Sequence, residues 1–371
     1  MTQLFKPDYG DEEVAAVTEV LRSGWIGLGP KTTEFENAFA DFVGAPHAVG
    51  LNSATAALHL ALILAGVGPG DEVIVTSLTF VSSVAVALYV GAKPVFADVL
   101  PDTLCIDPQD IAKKISPKTK AIIPVHYGGH PCEMDEINKL AKGKGITVIE
   151  DAAHACGSTY KGRAVGTLSE LTCFSFHAVK NLATADGGMI TLDNENWDKK
   201  LRRLRWMGID KDTWHRTEGG ETYAWHYTIN ELGYKYHMTD IDAALGLVQL
   251  KRLEYLNGRR REIVSMYNEG LADVPWVQLP VEKDHVKSAW HVYAIQIPKR
   301  DQMISHLKAN GVSPGVHYYP IHLHNYYELW RTPLPTTERA WERLISLPMH
   351  PQLTDSEVLH VIDLILGFEG G

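Results

Sequence analysis

The sequence lacks any apolar run long enough to cross a bilayer, and its first residues, MTQLFKPDYGDEE, interrupt the uninterrupted apolar stretch that a secretory signal needs with charges and a proline. A cytoplasmic protein is the expectation. It also lacks an excess of positive charge: 35 Lys and Arg stand against 45 Asp and Glu, a net charge of -10, with no long basic stretch. Proteins that neutralise nucleic-acid phosphates concentrate Lys and Arg, so a nucleic-acid role is excluded. Cysteine is scarce. Cys105, Cys132, Cys156 and Cys173 are scattered without CxxC pairing, which argues against a disulfide framework or a zinc site and predicts reduced, buried thiols and no metal. There is no low-complexity linker and no internal repeat.

What is present is a chain of 371 residues, 45% hydrophobic, enough for one large core and a smaller second one. Short apolar runs rich in Val and Ile alternate with stretches of helical periodicity through most of the first 250 residues, an α/β pattern. Candidate buried strands are Val73 to Thr76, Pro94 to Asp98, Ala121 to Val125, Thr147 to Glu150, Thr172 to Phe176 and Met189 to Leu192, each nearly continuous in apolar residues as a sheet covered on both faces requires. Ala54 to Gly66 reads as a helix with a glycine stop. Thr239 to Leu271 carries a long helical pattern with a break expected at Asn257-Gly258. Beyond it, AWHVYAIQI suggests a strand, MISHLKANG a helix, GVHYYP a strand and TDSEVLHVIDLILGF a capped amphipathic helix. These periodicities divide the chain into a large domain over 1–250 and a small one over 251–371.

The chemistry is concentrated in three segments. In CFSFHAVKNLATADGGM an apolar strand runs out through Ser175 to Lys180. A lysine held in apolar surroundings is disfavoured as an ammonium and becomes a nucleophilic amine suited to an aldehyde cofactor, although alone it reads as a solvated loop residue. In VIEDAAHACG, Asp151 ends a strand at the edge where open α/β sheets bind ligands. It can hold the nitrogen of a pyridine ring protonated, or simply cap a turn. His154 follows, either beside such a ring or as a core histidine. In GLNSATAALHL, Ser53, Ala54 and Thr55 open a helix just after a short strand, a place where backbone N–H groups and the helix dipole favour a phosphate and where Ser and Thr are also ordinary caps. Ser175 offers another hydroxyl. Phe80, after a strand, can stack on a ring or belong to the core. Each signal is weak singly, but their order and spacing are those that one cofactor pocket needs.

With these residues the sequence closely resembles the DegT/DnrJ/EryC1/StrS family of sugar aminotransferases, over nearly the whole chain. The matching segments include SGWIGLGPKTTEFE, NSATAALHLAL, GPGDEVIVTSLTFVSS, VIEDAAHACGSTYKG, CFSFHAVKN with DGGM, GYKYHMTDIDAALGLVQL, GVHYYPIHLH and SLPMHP. The resemblance implies a fold-type I pyridoxal-phosphate transferase: a large domain with a mixed, mostly parallel seven-stranded sheet and a smaller C-terminal α+β domain. It implies that Lys180 is the Schiff-base lysine, that Asp151 pairs with the pyridine nitrogen, that Ser175, Ala54 and Thr55 bind phosphate and that Phe80 stacks on the ring. His154 fits a position held by Gln or His in relatives. Trp25, Ile26, Gly27 and Leu28, with His317, Tyr318 and His322, match segments that line the sugar-nucleotide site. Pyridoxal 5'-phosphate, with pyridoxamine phosphate (PMP) as the intermediate form, is the implied cofactor, and a homodimer with shared sites the implied assembly.

Two departures stand out. Many relatives read GYNYRM where this chain reads GYKYHM, so Lys235 occupies the position of an Asn that reaches the neighbouring subunit's cofactor or substrate, and His237 is atypical. Asp186 stands where many members have Glu. The GYKY form leans toward a 4-keto sugar. The activity implied is transfer of an amino group from L-glutamate to a nucleotide-linked keto-deoxy sugar, in cell-surface polysaccharide or glycoconjugate synthesis. Its rivals are a sugar dehydratase, which in the family replaces the lysine with histidine, an aminotransferase acting on a keto-cyclitol, and a cofactor-binding regulator without turnover, for which no residue speaks. The stretch Gly208 to Leu232, rich in Trp, Tyr and Gly, is expected to contribute selectivity.

Overall fold

A computed structural model of the chain describes residues 1–210 and 227–368. Helices α1 (Asp11–Ser23) and α2 (Pro30–Val43) lead into β1 (His47–Leu51), α3 (Ala54–Leu64), β2 (Glu72–Thr76), α4 (Ser82–Tyr89), β3 (Lys93–Ala97), α5 (Pro108–Lys114), β4 (Thr119–Ile123), α6 (Met134–Ala141) and β5 (Thr147–Asp151). Two short strands, β6 (Thr159–Tyr160) and β7 (Arg163–Ala164), precede β8 (Leu171–Ser175), β9 (Gly188–Leu192) and α7 (Glu195–Leu204). The C-terminal part comprises α8 (Asp240–Leu271), β10 (Val286–Lys287), β11 (Tyr293–Gln296), α9 (Arg300–Ala309), α10 (Pro335–Arg343), β12 (Leu344–Leu347) and α11 (Asp355–Leu366).

The central sheet has seven strands in the order β1-β9-β8-β5-β4-β2-β3. Only β9 runs against its neighbours; the pairs β8-β5, β5-β4, β4-β2 and β2-β3 are parallel. Its strands are buried on both faces, which is why they read as continuous apolar runs rather than alternating ones. One face carries the core built around Phe35, Phe39, Phe174 and Phe176, the other the Ala- and Leu-rich α3. A third core, with Tyr267, Tyr293, Ile345 and Val361, packs α8, α9 and α11 against the β11-β12 pair.

Two expected elements are corrected, the break in the long helix and the strand at 315–320. The break foreseen at Asn257-Gly258 does not occur, and α8 runs unbroken for 32 residues. Glycine in a helix interior costs about 1 kcal/mol, and here Asn257 offsets it with tertiary hydrogen bonds to Cys156 and Asn181. Residue 251, where the second domain was expected to begin, lies inside this helix. The stretch 315–320 is not a strand: it is irregular chain that bends at His317 and has a single bridge between Gly315 and Ser346. Pro314 precedes it and Pro320 ends it, and neither can donate to a ladder. Residues 211–226 of the expected selectivity loop lie outside the described residues.

Candidate active site

The parallel strands end at one edge of the sheet, and the loops that leave them there enclose a cavity of about 410 Å³. Among its lining residues are Ser53, Ala54, Thr55, Phe80, Asp151, His154, Ser175, Lys180, His317 and Tyr318, so ten of the residues singled out from the sequence face one space.

Each is placed for a local reason. Ser53 caps α3 by accepting the Ala56 N–H at 3.1 Å. That bond leaves the earlier N–H groups of Ala54 and Thr55 at the helix start, where the dipole favours an anion. The loop of Ser53 can lie against the start of β9 because residue 188 is glycine. A Cβ there would sit 2.5 Å from the Ser53 carbonyl carbon and 2.7 Å from the Ala54 nitrogen.

Asp151 is the last residue of β5 and is buried. Ser83, at the start of α4, donates its hydroxyl to Oδ2 at 2.6 Å, and the Ala153 N–H donates to Oδ1 at 3.1 Å. Behind it the adjacent Glu150 is buried as well, accepting from Ser169 and Thr172 and paired with His126 at 2.8 Å. Two neighbouring carboxylates on one strand thus point to opposite faces, as the pleat requires, and only Asp151 lines the cavity.

Lys180 stands on the connection from β8 to β9. Backbone bonds from Phe176 to Gly187, Ala178 to Ala185 and Thr184 to Phe176 pin that connection into a tight turn structure. What surface Lys180 retains faces the cavity, and burial lowers its amine from the ordinary lysine range to about 8, against the opposing pull of Asp151. His154, His291 and His317 surround it, each pushed below the usual histidine range first by burial and then by the lysine's charge. Tyr318 OH is 3.0 Å from His154 Nε2, while the buried Nδ1 of His154 has no hydrogen-bond partner.

Phe5, His291 and Ser83 were not among the residues singled out from the sequence. Phe5, from the N-terminal segment, stacks on the His291 ring at 5.1 Å and 7°. His291 lies just before β11 in a segment legible only as a strand, although a histidine at the head of an apolar strand was a clue. Asp186, noted only as a family variant, also lines the cavity.

Several expected residues lie elsewhere. Trp25, Ile26, Gly27 and Leu28 form the turn before α2, with the Trp25 indole donating to the Leu28 carbonyl at 3.0 Å, and none of the four lines the cavity. His322 is fully buried, 2.7 Å from Ser77 Oγ and 3.2 Å from Glu338, so its ring is occupied in packing and does not reach the cavity. Lys235 is exposed, with its ammonium 3.4 Å from the centre of the Trp206 ring. It does not line its own chain's cavity.

The cavity fits pyridoxal phosphate. A helix start with free N–H groups suits its phosphate, a buried carboxylate suits its ring nitrogen, a lysine with a lowered pKa suits its aldehyde, and His154 Nδ1 is a buried polar atom in want of a partner. Among the described residues no cluster of His, Cys, Asp and Glu could hold a metal ion, and no helix is long and apolar enough to cross a membrane.

Comparison with known proteins agrees with this chemistry. The model of the DegT/DnrJ/EryC1/StrS aminotransferase family matches residues 7–366. The chain is 43% identical over 370 residues to the spore coat polysaccharide biosynthesis protein SpsC of Bacillus subtilis, covering 97% of this chain and 95% of that one. The structure matches Spr1654 of Streptococcus pneumoniae in its PMP form at a TM-score of 0.92, with 36% identity over 97% of each chain, and the same protein is also known in a PLP form. It matches Helicobacter pylori PseC, an aminotransferase involved in the biosynthesis of pseudoaminic acid, at 0.91, with 31% identity over 98% of each chain.

Proposed function

Because the chain belongs to the DegT/DnrJ/EryC1/StrS aminotransferase family and is a pyridoxal-phosphate-dependent sugar aminotransferase, we propose that it transfers the amino group of L-glutamate to the 4-keto carbon of a nucleotide-linked deoxy sugar. The observation that carries the reading is the meeting of Lys180, Asp151 and the start of α3 in one cavity. The likeness to a spore coat polysaccharide protein and to a pseudoaminic acid enzyme supports a product destined for a cell-surface glycan.

When bound, pyridoxal phosphate supplies an aldehyde carbon that captures amines and a ring that delocalises negative charge. The remaining work belongs to the chain. Ser53, Ala54, Thr55 and Ser175 hold the phosphate; the helix dipole of α3 adds to their hydrogen bonds. Asp151, oriented by the Ser83 hydroxyl and the Ala153 N–H, would face the ring nitrogen and hold a proton there. Lys180 Nζ anchors the cofactor. Once free, its amine would be the base that takes a proton from the donor's α-carbon and the acid that returns it to the carbon on the other side of the bridging nitrogen, a role for which an amine titrating near 8 is suited. The second half-reaction runs the same proton movements in reverse at the sugar carbon. The nucleotide binds remotely and supplies energy for positioning.

A homodimer completes this reading. Phe80, Tyr89, Tyr326 and Leu329 are 58%, 57%, 76% and 84% exposed, a large uncovered apolar content beginning at the cavity. A second copy covering these side chains would bring its own Lys235 toward this chain's site, a point charge in place of the usual amide. The cytoplasm, where nucleotide sugars are made, is the proposed compartment.

The test is turnover of purified holoenzyme with L-glutamate and a panel of UDP-, GDP- and dTDP-linked 4-keto sugars, read as 2-oxoglutarate formed. Turnover with one nucleotide series supports the reading. Turnover only with keto-cyclitols, or with free keto sugars equally well, overturns it.

A further inference from the structure

We infer that His291 is a positioning residue for Lys180, locked by Asn181 and Asn257 into the tautomer that turns its Nε2 lone pair toward the lysine amine. The inference rests on Lys180 being the lysine that holds the cofactor.

The lock follows from hydrogen-bond accounting. Asn257, in the middle of α8, places its Nδ2 3.0 Å from the Cys156 carbonyl, and a carbonyl only accepts. Asn257 Oδ1 therefore faces outward and accepts from Asn181 Nδ2 at 2.7 Å. The same Asn181 Nδ2 donates to the Ala289 carbonyl, also at 2.7 Å, so its two hydrogens are both spent. Asn181 Oδ1 is left 3.1 Å from His291 Nδ1 and must accept from it. His291 consequently carries its hydrogen on Nδ1. The ring is 2% exposed and burial keeps it neutral, so Nε2 has only a lone pair, and that nitrogen lies 3.4 Å from Lys180 Nζ.

Two backbone carbonyls on different segments thus dictate, through two amides, which way a histidine presents itself to the lysine. Phe5 stacked on the ring fixes its plane. Asp151, His154, Asp186, His317 and Tyr318 also line the cavity around Lys180, and of these Asp151 attracts its ammonium. When the incoming donor amine displaces Lys180, its side chain is free to turn about several bonds. An acceptor at Nε2 gives the freed amine one resting place, at the cavity wall, from which it can reach the carbon to be deprotonated.

The test uses the cofactor-free full chain and needs no turnover. Pyridoxal phosphate is added across a range of pH and the rate of appearance of its visible band reads the midpoint at which Lys180 loses its proton. Loss of an acceptor that favours the ammonium predicts that His291→Phe lowers this midpoint by about one pH unit, while His291→Gln, which keeps an acceptor, returns it toward the unsubstituted value. In parallel, ¹⁵N-labelled histidine in the unsubstituted protein, with His291 assigned through His291→Gln, is expected to show a protonated Nδ1 and a bare Nε2, and Asn181→Leu to lose that pattern. A residue with a purely packing role would lower the melting temperature without moving the midpoint. An unmoved midpoint in His291→Phe, or a protonated Nε2 in the unsubstituted protein, overturns the role of His291. Should His291→Phe not fold, the tautomer measurement decides alone. No band at any pH in the unsubstituted protein overturns instead the reading of Lys180 on which the inference rests.

Discussion

The Ser83 hydroxyl donates to Oδ2 of Asp151 at 2.6 Å, joining the first turn of α4 to the end of β5. Asp151 is buried at 4% exposure, and a buried carboxylate costs free energy unless its oxygens find such donors. Asp151→Ala is expected to weaken cofactor retention and reduce turnover by two orders of magnitude or more, roughly the 3–5 kcal/mol that follows loss of one partner from a buried pair. Ser83→Ala should be milder, about 1–3 kcal/mol for a charged acceptor left one donor short. Equilibrium dialysis of the cofactor checks both.

Lys180 gives a prediction about stability as well as chemistry. Its amine titrates at about 8 in the folded chain against 10.5 for an ordinary lysine. Above 10.5 both folded and unfolded chains hold it neutral, so it contributes no penalty; as pH falls toward 8 the unfolded chain takes up the proton first and folding is increasingly disfavoured. Without cofactor, Lys180→Met should therefore be more stable than the unsubstituted protein below pH 8, by up to about 3 kcal/mol, with the advantage shrinking toward pH 10.5. Urea titrations at pH 7 and pH 10.5 measure it. An equal advantage at both would show that the lysine is not held in an unfavourable environment.

Gly188 is predicted to tolerate no side chain. In Gly188→Ala the added carbon would meet the backbone of Ser53 and Ala54 at 2.5 to 2.7 Å, and backbone cannot give way as a flexible side chain can. A loss of about 1–3 kcal/mol in stability, together with weaker binding of phosphate-bearing cofactor but not of pyridoxal, is the expected pattern. Equal loss of both cofactors would mean that the α3 start does not hold the phosphate.

Glu36 is a buried structural charge on α2. Buried and bridged to Arg205 and to Arg202 (2.7 Å), with the Gly50 N–H donating at 2.8 Å, it pays a desolvation cost that the arginines outweigh, and its carboxyl is held below the usual range. Its contribution is complete above about pH 4.5 and is lost as pH falls through the lowered folded value. Glu36→Leu leaves two guanidinium groups short of a partner and should cost about 3–5 kcal/mol at pH 7, read as a lower midpoint in urea.

How much of this was legible depended on range along the chain. The strands of the central sheet could be read because burial on both faces leaves an unbroken apolar run in a few consecutive residues, and Lys180, Asp151 and Ser53 because each follows such a run at the same edge. The start of α3 was legible for the same reason. What failed were features set by partners distant in sequence. The helix through Asn257-Gly258 stays whole because of bonds to residues 76 and 101 positions away. The stretch around His317 and Tyr318 looks β-like in composition but is spent on lining a cavity, with Tyr127 donating to the His317 carbonyl and His317 Nδ1 2.8 Å from Ser346 Oγ. His322, only four residues beyond Tyr318, turns away to Ser77 and Glu338. Phe5 and His291 meet although 286 positions apart, a contact that no local pattern encodes.

The central claim is that Lys180 holds the cofactor and exchanges it for a donor amine. It is tested most directly by the visible absorption spectrum of the purified protein with pyridoxal phosphate, before and after L-glutamate, alongside Lys180→Ala. The account predicts a visible band that disappears with L-glutamate, returns with 2-oxoglutarate and never forms in Lys180→Ala although that variant stays folded. A band in Lys180→Ala that responds to glutamate as the unsubstituted protein does would contradict it.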